Sequence, residues 1–248
     1  MRELIERLAQ MLREAHHAVA LTGAGVSTDS GIPDFRSPST GLWAQYNPLE
    51  VASIEGFRSN PVRFYEFWRL RFAKLAEAQP NITHRVLAEL EARGYLKCVI
   101  TQNIDNLHQK AGSRRVLEVH GTYTRGICLG CRKIYSIYEI FKKVERSSVP
   151  LCDECNDLLK PDVVLFGELL TQDFESALDE IERCDLLFVL GTSLEVYPVA
   201  GLVPQAKRHG AQVVIVNRDE TPFDQLADLV IHSELSPVMN SLSRLLFR

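Results

Sequence analysis

No apolar run in this 248-residue chain approaches the roughly 20 residues that cross a bilayer, so a membrane-spanning helix is excluded. An excess of positive charge is missing too. The 28 Lys and Arg against 32 Asp and Glu leave a net charge of −4, which argues against a generic nucleic-acid-binding surface. There is no internal repeat and no low-complexity stretch, which excludes a repeat array. The opening residues, MRELIERLAQMLREAHH, lack the apolar core of a signal peptide. They read instead as an amphipathic helix with Leu4, Ile5, Leu8, Met11 and Leu12 on one face. A cytosolic protein is expected.

What is present is ordinary for a soluble globular protein: 46% apolar and 24% charged residues. The length suits one large α/β domain and a smaller module. Six cysteines need an explanation. Cys98 and Cys184 stand alone in or beside apolar runs and read as inert core residues. Cys128, Cys131, Cys152 and Cys155 form C-x2-C-x20-C-x2-C, in which each pair places two thiolates on one side of a turn. Two disulfides or a redox dithiol are the alternatives, but a cytosolic chain and two matched pairs disfavour both. Four thiolates close a tetrahedral shell, so the spacing predicts one structural zinc ion.

Apolar runs at 18–21, 97–101, 116–119, 162–166, 186–190, 212–216 and 229–231 predict strands, mostly short and unalternating, as in a parallel sheet buried on both faces. Helical patterns alternate with them. One runs from about Thr83 to Arg93 and stops at Gly94, another from Thr171 to before Asp185, and a last one is expected to open on Ser236-Pro237 as N-cap and first-turn proline. This alternation predicts an α/β fold, a Rossmann-like doubly wound sheet. Two segments break the rhythm. Residues 37–80 are helical and aromatic-rich, and 121–160 carry the cysteine pairs and a short helix with a Ser136/Glu139 capping box. Both read as insertions that pack into a small second domain, made of a helical module and a four-cysteine zinc ribbon. Residues 1–36, 81–120 and 161–248 then form the nucleotide-binding domain, with the ligand cleft between the two.

In open α/β sheets, ligands bind beyond the carboxyl ends of the strands. Polar or glycine-rich residues gather there: Gly23 and Gly25, Gln102-Asn103-Ile104-Asp105, His120, Phe166-Gly167-Glu168, Gly191-Thr192-Ser193 and Asn217-Arg218-Asp219. The Gly-x-Gly turn after the first strand would expose free N–H groups at a helix start, which favour a pyrophosphate. The third glycine of G-x-G-x-x-G is absent; Thr28 holds its place.

The stretch GAGVSTDSGIPDFRS resembles the cofactor loop of the sirtuins, the NAD-dependent protein-lysine deacylases, and the chain looks like a bacterial or archaeal deacetylase of that family. Thr101-Gln102-Asn103-Ile104-Asp105, His120-Gly121, the cysteine pairs, Phe166-Gly167-Glu168, Gly191-Thr192-Ser193 and Val216-Asn217 match in order across roughly residues 18 to 220. The resemblance implies NAD+ as co-substrate. Gly23, Ala24, Gly25, Ser27 and Thr28 would cradle its pyrophosphate, with Asp34 and Arg36 nearby and Phe35 shielding the reacting ribose carbon. Asn103, Ile104 and Asp105 would form the nicotinamide pocket, and Gln102 would contact the ribose. Gly191, Thr192, Ser193, Asn217 and Asp219 would hold the adenosine side. An acyl-lysine protein or peptide would enter as a strand between Gly167-Glu168 and Glu195-Val196, with Val163 and Phe166 lining the acyl tunnel. His120 would be the proton acceptor, with Asn103 and Asp105 also required for catalysis. The products would be nicotinamide, free lysine and 2'-O-acetyl-ADP-ribose. No membrane or direct nucleic-acid partner is expected.

An ADP-ribosyltransferase using the same cleft, or an NAD-sensing or zinc-ribbon nucleic-acid-binding module without catalysis, are the rivals. Leu169 stands where some members carry a polar residue. Relatives that remove succinyl or malonyl groups carry Tyr-x-x-Arg; the matching positions read Tyr65-Glu66-Phe67-Trp68. A tunnel without its cation predicts a preference for neutral acyl chains.

Overall fold

The computed structural model describes residues 1–34, 42–44 and 46–247. The described strands are, in chain order, β1 (Ala18–Thr22), β2 (Cys98–Thr101), β3 (Val116–Glu118), β4 (Gly121–Cys128), β5 (Ile134–Ser136), β6 (Leu159–Val163), β7 (Leu186–Leu190), β8 (Gln212–Asn217) and β9 (Leu229–His232). The α-helices are α1 (Arg2–Glu14), α2 (Pro48–Val51), α3 (Ile54–Ser59), α4 (Pro61–Glu77), α5 (Ile82–Ala92), α6 (Leu107–Ala111), α7 (Ile137–Ser147), α8 (Asp173–Arg183), α9 (Leu202–Arg208) and α10 (Leu235–Leu246).

Six strands form one parallel sheet in the order β3-β2-β1-β7-β8-β9. The chain winds outward from β1 to β3 on one side and from β7 to β9 on the other. The switch point between β1 and β7 opens a crevice at their carboxyl ends. β1 and β7 are buried at every position, which is why their runs do not alternate in polarity. Both faces are covered. Along β8, Val214 and Val216 pack in one core with Leu8 and Leu12 of α1, Leu87 and Leu90 of α5, and Met239 and Leu242 of α10. Val213 and Ile215 point the other way, into a core with Ala177 and Ile181 of α8 and Val203 and Ala206 of α9.

A second, antiparallel sheet runs β5-β4-β6. Its residues share a third core with the helices before it: Phe57, Phe64, Tyr65, Phe67, Trp68 and Phe72 join Cys128, Tyr135, Ile140, Cys152 and Leu159. Trp68 and Phe72 stack at 5.2 Å, and Phe57 meets Phe64 edge-to-face at 4.9 Å.

Two expectations are corrected. The apolar run at 162–166 is no strand of the parallel sheet. Its strand, β6, begins at Leu159 and pairs with β4, while Val163 and Leu165 enter the third core. An apolar run shows burial but not which sheet buries it. The last helix starts at Leu235 with Glu234 as N-cap and no side-chain cap; Ser236 Oγ instead donates to Asp29, a tertiary partner that draws the hydroxyl off the helix end. The Ser136/Glu139 capping box is present as expected.

Glu180 of α8 is fully buried and accepts from His17 Nε2 at 2.7 Å and Arg115 Nη2 at 2.8 Å. Burial raises its pKa, but the bond from His17 and the charge of Arg115 outweigh it and hold the carboxyl below the ordinary glutamate value. A depressed folded pKa stabilises above the unfolded value, and that stability is lost as pH falls through the folded one. Glu180→Gln is expected to cost about 2 kcal/mol near neutral pH, the scale of a charge-assisted hydrogen bond. The deficit should shrink below the ordinary glutamate value as the wild-type carboxyl protonates. Urea titrations of both proteins at neutral and acid pH check this; a deficit independent of pH would contradict it.

Candidate active site

The carboxyl ends of β1, β2, β3, β7 and β8 converge on a cleft of about 1110 Å³. Its wall includes Gly23, Ala24, Gly25, Thr28 and Asp34, then Gln102 to Asp105 and His120. Val163, Phe166, Gly167 and Glu168 follow, then Gly191 to Ser193, Glu195, Val196, Asn217 and Asp219. Ser27 lies behind this wall, 1% exposed. Phe35 and Arg36 lie outside the described residues.

The glycine loop differs from the expected anion nest. Gly23 N–H donates to the Leu190 carbonyl, Gly25 N–H to that of Gly191, Val26 N–H to Gly23 and Ser27 N–H to Ala24. The N–H groups of these four residues are therefore engaged before any ligand arrives. The segments after Gly23 are two three-residue 3-10 turns, Ala24–Val26 and Thr28–Ser30, rather than a long helix. The glycines serve close approach. A Cβ on Gly25 would sit 2.9 Å from Gly191 Cα, and Gly191 itself has φ +59° with Val26 N 2.6 Å from where its Cβ would be. Backbone thus packs on backbone where β1 and β7 end.

Behind Asn103 and Asp105 lies a buried polar network. Asp105 is 4% exposed; it accepts from Leu107 N–H on Oδ1 at 2.9 Å and from Ser27 Oγ on Oδ2 at 2.6 Å. Burial raises its pKa, opposed by these two bonds. Asn103 Nδ2 donates to the Gly23 carbonyl at 3.0 Å and to Ser27 Oγ at 3.1 Å, which fixes the amide with Oδ1 as its acceptor end. Asn81 N–H lies 3.3 Å from His84 Nδ1, so the ring's hydrogen falls on Nε2, 3.5 Å from Ser27 Oγ. With its lone pairs facing Asn103 and His84, the serine hydroxyl points its one hydrogen at Asp105. Burial and Arg85 push the His84 pKa down to about 4, and burial together with His84 holds His108 well below the ordinary value, so both rings are neutral near pH 7. Nothing in the spacing of His84 and His108 marked them for this place. The only hint was a polar residue inside an otherwise apolar helical stripe.

His120 follows β3 and lines the cleft. Its Nδ1 lies 3.1 Å from the Gln102 carbonyl, which can only accept, so Nδ1 carries the hydrogen and Nε2 is the basic nitrogen. The chain turns at once into β4 through Gly121, φ +78°, where a Cβ would sit 2.1 Å from the Asp162 carbonyl. Gln102 Nε2 donates to Thr192 Oγ1 at 3.0 Å, joining the β2 and β7 ends. At the β8 end, Asn217 Nδ2 donates to the Asp219 carbonyl at 2.8 Å and Arg218 pairs with Asp219 at 3.0 Å.

At the position that matches the arginine, Trp68 carries no cation, and its indole Nε1 donates to the Val51 carbonyl at 2.6 Å. Tyr65 is fully buried and its hydroxyl donates to the Leu159 carbonyl at 2.6 Å, away from the cleft. What α4 turns to the cleft includes Trp68, Leu70, Arg71 and Lys74. The Arg71 guanidinium lies 3.6 Å over the Phe67 ring and 4.8 Å from that of Tyr46.

The four cysteine sulfurs of the small sheet lie within 4.8 Å of one another, with Cys128 to Cys155 at 3.3 Å and Cys131 to Cys152 at 3.5 Å. A disulfide would need about 2.05 Å. Tetrahedral zinc with bonds of about 2.3 Å spaces its sulfurs about 3.8 Å apart, which suits this cluster. The two knuckles are built alike. Arg132 N–H donates to the Cys128 carbonyl and Asn156 N–H to that of Cys152, each at 3.1 Å, and both residues take positive φ. Tyr135 Oη lies 3.2 Å from Cys152 Sγ, a donor to a thiolate. The donor set fits a closed structural zinc site.

A profile of the Sir2 family matches residues 23–198, more than half of the chain. Over 244 residues the chain is 46% identical to the NAD-dependent protein deacetylase of Saccharolobus solfataricus, covering 98% of this chain and 96% of that one. It is 46% identical over 226 residues to the NAD-dependent protein deacetylase of Thermotoga maritima, 91% of each. It is also 46% identical over 242 residues to NAD-dependent protein deacylase 2 of Archaeoglobus fulgidus, 96% of this chain and 94% of that one. Among solved structures, a Sir2 complex with a p53 peptide and NAD+ superposes with a TM-score of 0.91 at 42% identity, covering 97% of both chains. A Sir2 variant holding a deacetylated p53 peptide and 3'-O-acetyl ADP-ribose reaches 0.93 at the same identity and coverage.

Proposed function

The chain belongs to the Sir2 family, and from that premise we propose that it is an NAD-dependent protein-lysine deacetylase that transfers the acetyl group to the ADP-ribose of NAD+. The observation that carries this reading is the meeting of His120, the Asn103/Asp105 pair and the glycine loop in one cleft at the sheet's switch point. Asp105 would accept from the nicotinamide carboxamide, its other acceptor sites being held by Ser27 and Leu107. Asn103 would orient the same group through Oδ1. The turns at Gly23–Thr28 and Gly191–Ser193, with Asn217 and Asp219 at the edge, would receive the rest of the dinucleotide, and Gln102 its ribose.

The acyl oxygen would attack the ribose carbon as nicotinamide departs. His120 Nε2 would then take a proton from the ribose hydroxyls, so that the 2' oxygen can attack the resulting imidate. Water completes the release of lysine. The acyl-lysine chain would lie along Val163 and Phe166, its peptide between Gly167-Glu168 and Glu195-Val196 as an added strand. Residues 1–36, 81–120 and 161–248 are proposed as the nucleotide-binding domain, and 37–80 with 121–160 as the small domain. The shared third core supports grouping the two insertions, although β6, inside both spans, pairs with the small sheet.

The reading is tested by incubating the protein with NAD+ and an acetyl-lysine peptide. Nicotinamide release that requires the acetylated peptide is expected. Binding of NAD+ without release would instead mark a sensing module.

A further inference from the structure

Lys160 of β6 is 3% exposed, a rare place for a lysine, and the nucleotide chemistry above does not use it. Its ammonium has three acceptors: the Val163 carbonyl at 2.6 Å, the Pro161 carbonyl at 3.2 Å and Glu168 Oε2 at 3.0 Å. Glu168 Oε2 also accepts from Leu165 N–H at 2.9 Å. Burial lowers the lysine's pKa and Glu168 opposes that fall.

These bonds bracket the turn from Val163 to Glu168, every residue of which lines the cleft. One peptide plane in it is held from both sides. The Val163 carbonyl takes the ammonium, and the N–H of the same plane, on Val164, donates to the His120 carbonyl at 2.8 Å. Two residues on, Phe166 N–H donates to the Ala52 carbonyl at 2.8 Å, and its own carbonyl accepts from Ile54 N–H at 3.0 Å. The turn therefore links the backbone of His120 to helices α2 and α3, and Lys160 sits at its centre.

We infer that Lys160 is a positioning residue, whose ammonium holds the Val163–Glu168 turn so that the acyl-lysine channel and His120 keep one relative geometry. This assignment rests on the deacetylase reading. A carbon chain of similar length without the charge would leave the Val163 carbonyl and Glu168 without their common donor. The turn could then shift by a fraction of an ångström to an ångström, a displacement on which reaction geometry depends steeply.

The test compares wild type, Lys160→Met, Lys160→Gln and Lys160→Arg in steady-state assays with an acetyl-lysine peptide and NAD+, alongside Tm. Lys160→Met is expected to raise the peptide KM at least about tenfold with the KM for NAD+ within about twofold, and Lys160→Arg to recover most of the loss. A purely structural lysine would lower Tm and leave the peptide KM unmoved at temperatures where the variant stays folded, which overturns the assignment. If Lys160→Met does not fold, Lys160→Gln carries the test, with an expected rise in peptide KM of at least about threefold; an unchanged value overturns the assignment. Wild type that releases no nicotinamide overturns the deacetylase reading and this assignment together. Active wild type with an unmoved peptide KM in the variants overturns the assignment alone.

Discussion

Replacing His120 with alanine is expected to cut deacetylation by at least about a hundredfold, the usual scale for a lost general base, while NAD+ still binds. The effect should be this large because the proposed reaction depends on the ring as its base. Its Nδ1 hydrogen is directed at the Gln102 carbonyl, which fixes the tautomer and leaves Nε2 as the base. NAD+ should still bind because the proposed nicotinamide subsite rests on other residues, Asn103 and Asp105 with Ser27 behind them, and the proposed nucleotide turns follow β1 and β7. Tyrosine at 120 should fail equally, since a phenol is no base near neutral pH. Binding measured by calorimetry beside single-turnover deacetylation separates the two effects. Near-wild-type turnover in His120→Ala would remove the histidine from the mechanism.

Loss of the zinc site should be as severe by a different route. Cys152→Ala is expected to abolish stoichiometric zinc, unfold the small sheet and eliminate activity, because metal binding in such a module is folding free energy. Cys128 and Cys152 are themselves members of the third core, together with Trp68, Tyr135 and Val163. Unfolding there takes away Trp68 and Val163, two walls of the cleft. The parallel sheet has its own two cores and should survive. Of the two tryptophans in the chain, Trp68 lies in the third core and Trp43 packs against it, so their fluorescence reports on it directly. The expected result is a red-shifted, weakened tryptophan signal in Cys152→Ala with much of the helical circular dichroism kept. Pure, folded, active protein without zinc would contradict this.

Much of this arrangement was legible in the residues, for stated physical reasons. β1, β7 and β8 were readable because a strand buried on both faces must be apolar throughout. The zinc knuckles were readable because two thiolates on a turn need a fixed spacing. The residues after β1, β2, β3, β7 and β8 were readable as a group because parallel topology sends these carboxyl ends to one edge, whereas Phe166-Gly167-Glu168 reaches the cleft from the small sheet. What escaped reading depends on tertiary context. The run at 162–166 announced burial, yet only the pairing with β4 assigns it to the small sheet. Gly23 and Gly25 looked like an anion nest, but Leu190 and Gly191 take their N–H groups, and Leu190 and Gly191 are distant in sequence. The Tyr65 hydroxyl turns to the Leu159 carbonyl, a partner supplied by β6 and not by the helix's own sequence. The burial of Lys160 depends on Glu168 and the Val163 carbonyl closing around it, which its own sequence neighbourhood does not announce.

The most direct measurement of the central claim is a mass-spectrometric balance of products from NAD+ and an acetyl-lysine peptide. The account predicts equal amounts of nicotinamide, deacetylated peptide and O-acetyl-ADP-ribose, with no peptide gaining ADP-ribose. Nicotinamide released while the lysine keeps its acetyl group and the peptide gains the mass of ADP-ribose would contradict it, and would make the cleft that of an ADP-ribosyltransferase.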